Sequence, residues 1–182
     1  MAIAFDTAQR GATGSVSSVT VSHTCTGTNR VLTVGAAVGD QVGITVSTVT
    51  YAGVNMVKAC GSTGGAGTPR DATVWLLGNP ASGANDIVIT LAGGNGEISW
   101  SASSYTGVTN TNTADASSCT RGAGDEINTL TTVADNCWHI VHAVNLSVVI
   151  GAGTGATERA NAAGNGVFDN NADITPAGSN SM

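Results

Sequence analysis

Residues 85–94 read NDIVITLAGG, and this stretch decides the fold class. Successive side chains of an extended chain point to opposite faces, so Ile87, Ile89 and Leu91 share one apolar face. The other face carries Asp86, Val88 and Thr90. A period of two predicts a β-strand, and the two glycines that follow predict a turn.

Two neighbouring stretches repeat the alternation. In residues 97–105, EISWSASSY, the apolar side chains of Ile98, Trp100 and Ala102 alternate with polar ones. This predicts a half-buried antiparallel strand whose serines face solvent. In residues 137–150, CWHIVHAVNLSVVI, we expect the even positions to face inward. These positions are Trp138, Ile140, His142, Val144, Leu146, Val148 and Ile150.

Other short runs rich in Val and Thr lie between Gly- and Asn-containing turns, which is typical of further strands. They cover residues 16–23, 30–38, 44–51, 54–59, 72–77 and 127–133. No window combines helical apolar spacing with a cap and good helix formers. The sequence therefore predicts an all-β fold, an antiparallel β-sandwich of jelly-roll type with about nine to eleven short strands and little or no helix.

The predicted domain covers residues 1–158, and residues 159–182 form a polar, Gly- and Asn-rich segment that indicates an edge strand or an arm. We expect the core to include Trp75, Trp100, Trp138, Ile140 and Val144. We expect the two ends of the chain to find the fewest packing and hydrogen-bond partners within the chain itself. They are therefore the expected interface. The interface candidates are Ala2, Phe5, Arg10, Arg159, Phe168, Ile174 and Met182.

The charge of the chain argues against two classes of partner. Charged residues make up only 10% of the sequence, the net charge is −6, and Lys58 is the single lysine. Nucleic acids and anionic membranes attract clustered Lys and Arg, so neither is expected as a partner. The opening MAIAF lacks the basic and long apolar regions of a signal peptide, which predicts synthesis in a cytoplasm.

The four cysteines do not form a CxxC pair, so neither a zinc ribbon nor a redox motif is indicated. They are Cys25, Cys60, Cys119 and Cys137. Four cysteines allow three disulfide pairings, and cytoplasmic synthesis favours free, buried thiols over all of them. Oxidation of the cysteines after the protein has left the cytoplasm stays open as an alternative.

His139 and His142 lie three residues apart, which on a strand places them on opposite faces and away from a common metal ion. We expect His142 to be a hydrogen-bonded core or interface side chain. His23 and Cys25 share a face, and a Cys–His nucleophile is the functional alternative to a buried, inert thiol. No metal ligand set, cofactor or catalytic residue is predicted.

The carboxylates do not indicate an enzyme either. Glycosidases bring two carboxyl groups together in a cleft with aromatic platforms, whereas Glu97, Glu126 and Glu158 are the only glutamates. Residues 169–173, DNNAD, offer oxygen ligands to calcium but lack the glycine spacing and distal Glu of an EF-hand. No P-loop, dinucleotide fingerprint or GxSxG elbow is present. The sequence favours a binding or structural role.

The order of several segments resembles a widespread β-sandwich domain that recurs in phage virion proteins and in bacterial surface proteins. The segments are TCTGTNRVLTVGAAV, VTYAGVNMVKA, ATVWLLGNPASGANDIVITLAGG, SASSYTGV, TTVADNCWHIV and TPAGSN. They cover most of the chain, and they are strand and turn motifs. The family leads us to expect one more strand after TPAGSN, where this chain ends.

The resemblance implies a virion component located in the virus particle, first of all a capsid decoration (cement) protein. Such a protein binds the major capsid protein or other virion proteins, commonly as a homotrimer, and bridges neighbouring shell subunits. A phage tail or fibre component and a carbohydrate-binding, adhesin-like module are the alternatives.

Overall fold

The computed structural model describes residues 2–39, 42–63, 71–109, 111–120, 128–144, 151–162 and 164–182. These residues contain no helix, and fourteen β-strands make up their regular structure. The strands are β1 (Ala4–Val16), β2 (Ser18–Cys25), β3 (Val31–Val38), β4 (Thr45–Tyr51), β5 (Val54–Asn55), β6 (Val57–Thr63), β7 (Asp71–Gly78), β8 (Gly83–Ala92), β9 (Gly96–Thr106), β10 (Thr129–Thr131), β11 (Ile140–Val144), β12 (Thr157–Ala162), β13 (Asn165–Asp169) and β14 (Ser179–Ser181). The prediction of an all-β fold is confirmed. Within the described ranges, the chain has no helix with the length and apolar character that crossing a membrane requires.

Two antiparallel sheets form the sandwich. The first has the order β1-β9-β3-β7-β6, and the second has the order β2-β8-β4-β5. The chain passes from one sheet to the other between β1 and β2, β2 and β3, β3 and β4, and β5 and β6, and again on either side of β8. This strand order is that of a jelly roll, with the two four-stranded sheets β1-β9-β3-β7 and β2-β8-β4-β5. The strand β6 is added at the edge of the first sheet, beside β7.

The core lies between these two sheets. Ile87 and Ile89 are fully buried and Leu91 nearly so, as the alternation in residues 85–94 predicts. Trp75 and Trp100 belong to the same buried cluster. Burying side chains of this size contributes about 2 kcal/mol each, so the cluster is the main source of stability.

A third layer covers the other face of the first sheet. It consists of the three-stranded sheet β11-β13-β12, and it leaves all eight residues of β3 buried. Ser99, Ser101 and Ser103 are buried as well. The prediction that these serines face solvent was therefore wrong, because alternation reveals two unlike faces but not a further sheet that covers the polar one.

The prediction for residues 137–150 also needs correction. Trp138, Ile140 and Val144 are only half-buried and lie outside the central core, whereas His139 is buried. The strand β11 begins at Ile140, so the period of two does not extend through residues 137–139. The strand β11 belongs to the third layer, and one of its two faces meets the first sheet. Leu146, Val148 and Ile150 lie outside the described residues.

Both ends of the chain are integrated into the sheets. The N-terminal strand β1, which the sequence did not predict, pairs with β9 along most of its length. Residues 159–182 contain most of β12 and all of β13 and β14, and β14 pairs with β10. The predicted boundary at 158/159 thus falls inside β12. β13 is the central strand of its sheet.

The interface candidates mostly make contacts within the chain. Phe168 is buried in β13, and Phe5, Arg10 and Arg159 are half-buried on strands. Ile174 forms an isolated bridge with Cys137, and the backbone of Met182 exchanges two hydrogen bonds with Asn128. Of the seven candidates, Ala2 is the exposed one.

Candidate functional site

His142 joins the third layer to the first sheet. Its Nδ1 lies 2.8 Å from Oγ of Ser101, and its Nε2 lies 2.9 Å from Oγ1 of Thr33. Because each hydroxyl can donate or accept, the two contacts satisfy a neutral imidazole. Burial lowers the pKa of His142 to about 4, so the ring is uncharged at neutral pH.

The absence of a side chain at Gly35 makes room for this imidazole. A β-carbon placed on Gly35 would lie 2.7 Å from Cγ of His142 and closer still to its β-carbon. Real β-carbons do not approach other atoms so closely. Gly35 is therefore the position in β3 that lets β11 approach the sheet.

Replacing Gly35 with Val is expected to destabilise the protein by about 1–3 kcal/mol, because the added carbons displace His142 from its two hydroxyl partners. Urea denaturation followed by tryptophan fluorescence measures the change. Gly14, whose β-carbon would meet no atom within 4 Å, is the matched control position. An equal effect of Gly14→Val would contradict the proposed cause.

A second buried network lies at the edge of the sandwich. The carboxylate of Asp6 accepts from the hydroxyl of Ser104 at 2.8 Å and from both the N–H and the hydroxyl of Thr26. The Ser104 hydroxyl also lies 3.2 Å from Nε2 of His23. Burial lowers the pKa of His23 to about 4, against an opposing pull from Asp6. Burial raises the pKa of Asp6, but the hydrogen bonds from Thr26 and Ser104 outweigh it and the net shift is downward.

This network contains the three residue types of a hydrolytic triad but not the order of one. Asp6 contacts the serine and not the imidazole, and Ser104 is fully buried. Cys25, two positions from His23, is fully buried too, and burial raises the pKa of its thiol. A nucleophile must reach substrate as well as a base. Neither Ser104 nor Cys25 does so here.

A third network ties the third layer to the first sheet. The fully buried carboxylate of Asp169 accepts from Nε and Nη2 of Arg159, at 2.7 and 3.0 Å, and from the Tyr105 hydroxyl at 2.9 Å. The guanidinium of Arg159 also lies 4.4 Å above the ring of Phe5. Phe5 and Tyr105 meet edge to face. Burial and the adjacent Asp169 raise the pKa of Tyr105, which keeps its hydroxyl a donor.

The calcium-type loop DNNAD takes part in this network. Asp169 is paired with Arg159, and Asn171 Oδ1 accepts from the same guanidinium. Asn170 Oδ1 accepts from the backbone N–H of His139. Asp173 accepts from the Trp138 indole at 2.8 Å. These side-chain oxygens therefore accept hydrogen bonds from groups of the protein itself: a guanidinium, a backbone N–H and an indole.

His139 is held between two asparagines on opposite sides of its ring. Its Nε2 lies 2.8 Å from Oδ1 of Asn128 and its Nδ1 lies 2.9 Å from Oδ1 of Asn180. A neutral imidazole donates at one nitrogen and accepts at the other, so a neutral ring requires one of the two amides to turn its NH₂ group toward the ring. Burial lowers the pKa of His139. The side chain thereby fixes β10 and β14 next to β11.

A large open cleft lies on the outer face of the first sheet, between described parts of the chain. We call it the outer cleft; its volume is about 1110 Å³. Val31, Val74 and Leu76 of the sheet form one wall, and Trp138 and Ile140 lie in the opposite wall. Residues 111–118 line a further side. Its lining mixes apolar and polar side chains, and Trp138 and Tyr105 are aromatic side chains within it.

The cysteines divide into two kinds. Cys60 and Cys119 form a disulfide, whereas Cys25 and Cys137 are free. The prediction of free thiols was thus wrong for Cys60 and Cys119. A bond across 59 positions leaves no local pattern in the sequence, and only the tertiary fold brings the two sulfurs together. Burial and the nearby Asp115 raise the pKa of the Cys137 thiol.

The remaining sequence candidates are spread apart. Glu97 and Glu158 are exposed on different strands, and Glu126 lies outside the described residues. Among the described residues, no three His, Cys, Asp or Glu side chains are grouped closely enough to hold a metal ion. The roles of Asp6, Ser104 and the Arg159–Asp169 pair were not predicted from the sequence. Asp6 and Ser104 are 98 positions apart, and the contact between Arg159 and Asp169 depends on the pairing of β12 with β13, so neither appears as a local sequence pattern.

Trp138→Ala tests the corrected position of this side chain. The alternating pattern places Trp138 in the core, and replacing a core tryptophan with alanine lowers the free energy of unfolding by about 3–5 kcal/mol. Because Trp138 is half-buried and its indole bonds to an exposed aspartate, we expect a loss of about 1–2 kcal/mol. Thermal unfolding measures it, with Trp100→Ala as the core comparison and Glu97→Ala as a nearly neutral one. A loss at Trp138 equal to that at Trp100 would contradict the structure.

Comparison with known proteins gives no family for the chain: no family model, no curated protein and no solved structure matches it.

Proposed function

We propose that this chain is a structural component of a virus particle, a capsid decoration (cement) protein that acts by binding and not by catalysis. The proposal combines the sequence resemblance to phage virion β-sandwich domains with the jelly-roll strand order. Jelly rolls are common in viral capsids, and they also occur in lectins and cupins, so the fold raises this possibility by analogy only.

One observation carries the proposal. The imidazoles of His23, His139 and His142 are all engaged in hydrogen bonds that join one layer to another. His139 and His142 line the outer cleft, but both nitrogens of each ring lie within hydrogen-bond distance of groups of the chain itself, whereas a catalytic imidazole keeps a nitrogen for its substrate or nucleophile. Side chains arranged in this way strengthen a shell component, and the added layer and disulfide act in the same direction.

A decoration protein works through many copies, each held by a modest interface. The net charge of −6 suits the outside of a particle, away from packaged nucleic acid. We propose a homo-oligomer, with a trimer as the first expectation, that contacts the major capsid protein or another virion protein.

The test compares virus particles that carry this chain with particles from which its coding sequence has been deleted. Particles without it are expected to lose their contents at lower temperature and to tolerate low salt less well. Adding back the purified protein restores stability if the role is correct. Equal stability of the two kinds of particle rules out the cement role. A tail or fibre component predicts the chain in tail fractions instead.

Trp138 favours a second candidate, a carbohydrate-binding module. It is half-buried in the wall of the outer cleft, next to the oxygen-rich side chain of Asp173. Aromatic faces of this kind can stack on sugars. A glycan array probed with the wild-type chain and with Trp138→Ala distinguishes the two candidates. Signals lost in the variant support sugar binding, and a silent array argues against it.

A further inference from the structure

Residues 111–119, which we call the strap, form one side of the outer cleft without being part of a sheet. Near its start, the strap meets the end of β7. The Gly78 N–H donates to Oδ1 of Asn112 at 2.6 Å, and a β-carbon on Gly78 would lie 2.6 Å from the carbonyl carbon of Thr111. The strap therefore begins in close backbone contact with the first sheet.

Further along, the strap is held by side chains at its surface. The Asp115 carboxylate accepts from the N–H groups of Val133 and Ala134, at 2.6 and 3.1 Å. The Ser117 hydroxyl donates to the carbonyl of Ala59 at 3.0 Å. All of these hydrogen bonds are exposed to water, which competes for the same donors and acceptors.

Apolar burial adds little to this attachment. Ala114, Ala116 and Cys119 are half-buried, and the other strap residues are exposed. No strap residue belongs to the core cluster between the two sheets. Segments with few buried apolar contacts and solvent-exposed hydrogen bonds open at low free-energy cost.

The disulfide supplies the strong attachment. Cys119 ends the strap, and Cys60 lies on β6, the strand at the edge of the first sheet. The bond holds the strap against this edge, beside Val74 and Leu76. These two side chains are half-buried on the outer face of β7.

We propose that the Cys60–Cys119 disulfide is a redox latch: its reduction releases the strap and opens the outer cleft while the two-sheet sandwich stays folded. The reductant is a dithiol. Its thiolate attacks one sulfur and breaks the S–S bond, which releases one cysteine as a thiolate and leaves a mixed disulfide with the other. The second thiol of the reductant then attacks the reductant's own sulfur in the mixed disulfide and releases the remaining cysteine thiolate. Two electrons and two protons pass to the protein, which gains two thiols, and the reductant leaves as its own disulfide.

The test uses the folded, full-length chain with and without dithiothreitol. A protease that cleaves on the N-terminal side of aspartate reports on Asp115 in the strap. We expect cleavage there to become at least about tenfold faster on reduction, since a tenfold change corresponds to only about 1.4 kcal/mol of lost protection. Binding of a dye that fluoresces on apolar surfaces is expected to rise in parallel. Far-UV circular dichroism is expected to keep its β-signal.

Two variants separate the latch from other effects of the reductant. Cys60→Ser/Cys119→Ser is expected to be cleaved quickly at Asp115 with or without dithiothreitol. Cys137→Ser keeps the disulfide and removes a free thiol near the cleft, so it is expected to behave as wild type. Alkylation and intact mass confirm that two further thiols appear on reduction.

Two results overturn the proposal. One is an unchanged cleavage rate at Asp115 after complete reduction. The other is loss of the β-signal on reduction of the wild-type chain, which would make the disulfide a global and not a local restraint. Neither result depends on the decoration role, because the experiment uses the isolated chain and contains no virus particle.

Discussion

Lowering the pH from 7 to 5 is expected to remove about 2 kcal/mol of stability for each of the two buried imidazoles, His23 and His142. Both have a folded-state pKa of about 4, below the value of 6.5 for the unfolded chain. The unfolded chain therefore binds more protons than the folded one between these values. The stabilisation is complete above pH 6.5 and is lost as the pH falls toward 4, where the loss reaches about 3 kcal/mol for each ring.

The groups around each imidazole do not remove this cost. Asp6 faces His23 through Ser104 and favours the charged ring, but the burial effect is larger. Among the described residues, His142 meets the hydroxyls of Ser101 and Thr33 at its two nitrogens. Protonation would require both hydroxyls to accept from the ring, and Thr33 would then have to donate elsewhere, toward Ser103.

Urea denaturation at a series of pH values between 7 and 5 measures the loss before most carboxylates are protonated. His142→Gln is expected to reduce the loss between pH 7 and 5 by about 2 kcal/mol, because it removes one of the rings whose pKa burial lowers. His139→Gln, which replaces an imidazole held between two asparagine amides, serves as the comparison. A stability that does not change over this range would contradict neutral, buried rings.

Replacing Asp169 with Asn is expected to cost about 3–5 kcal/mol, because it leaves the Arg159 guanidinium largely buried without its countercharge. The change also turns one acceptor oxygen into a donor group that faces the donors of Arg159 or Tyr105. Both effects act where β13, β12 and β9 meet, so the loss is expected to loosen the third layer.

Asp173→Asn is the matched control. Its carboxylate is exposed and accepts one hydrogen bond, from the Trp138 indole. We expect Asp173→Asn to lower the free energy of unfolding by less than about 1 kcal/mol. Thermal unfolding of the two variants, with hydrogen exchange of β12 and β13, measures the difference. If Asp169→Asn unfolds like the control, the buried ion pair does not hold the layers together.

The sequence predicted the sandwich because its strands have two unlike faces. Ile87, Ile89 and Leu91 pack as their spacing requires, and the turns after them contain glycines at positive φ, such as Gly93. The strand β1 was not predicted because Gly11 and Gly14 interrupt it and its side chains do not alternate. It forms because β9 offers a complete row of hydrogen-bonding partners.

The third layer could not be predicted from the same signal. The serines at 99, 101 and 103 are compatible with water, and they are equally compatible with a buried layer that supplies partners such as His142. Only Gly35 hints at a close neighbour, and glycines inside strands also mark bulges and tight bends. The networks around Asp6 and Asp169 depend on contacts between distant parts of the chain, which one sequence does not reveal.

The burial of β3 on both faces has a consequence for the order of synthesis. His142, which fills the space over Gly35, is separated from its partner Thr33 by 109 positions. A ribosome therefore completes the first two sheets well before it delivers the strands that cover them. During that interval the nascent chain presents an open face of valine, threonine, glycine and alanine, and chaperones are expected to engage it until β11 and β13 emerge.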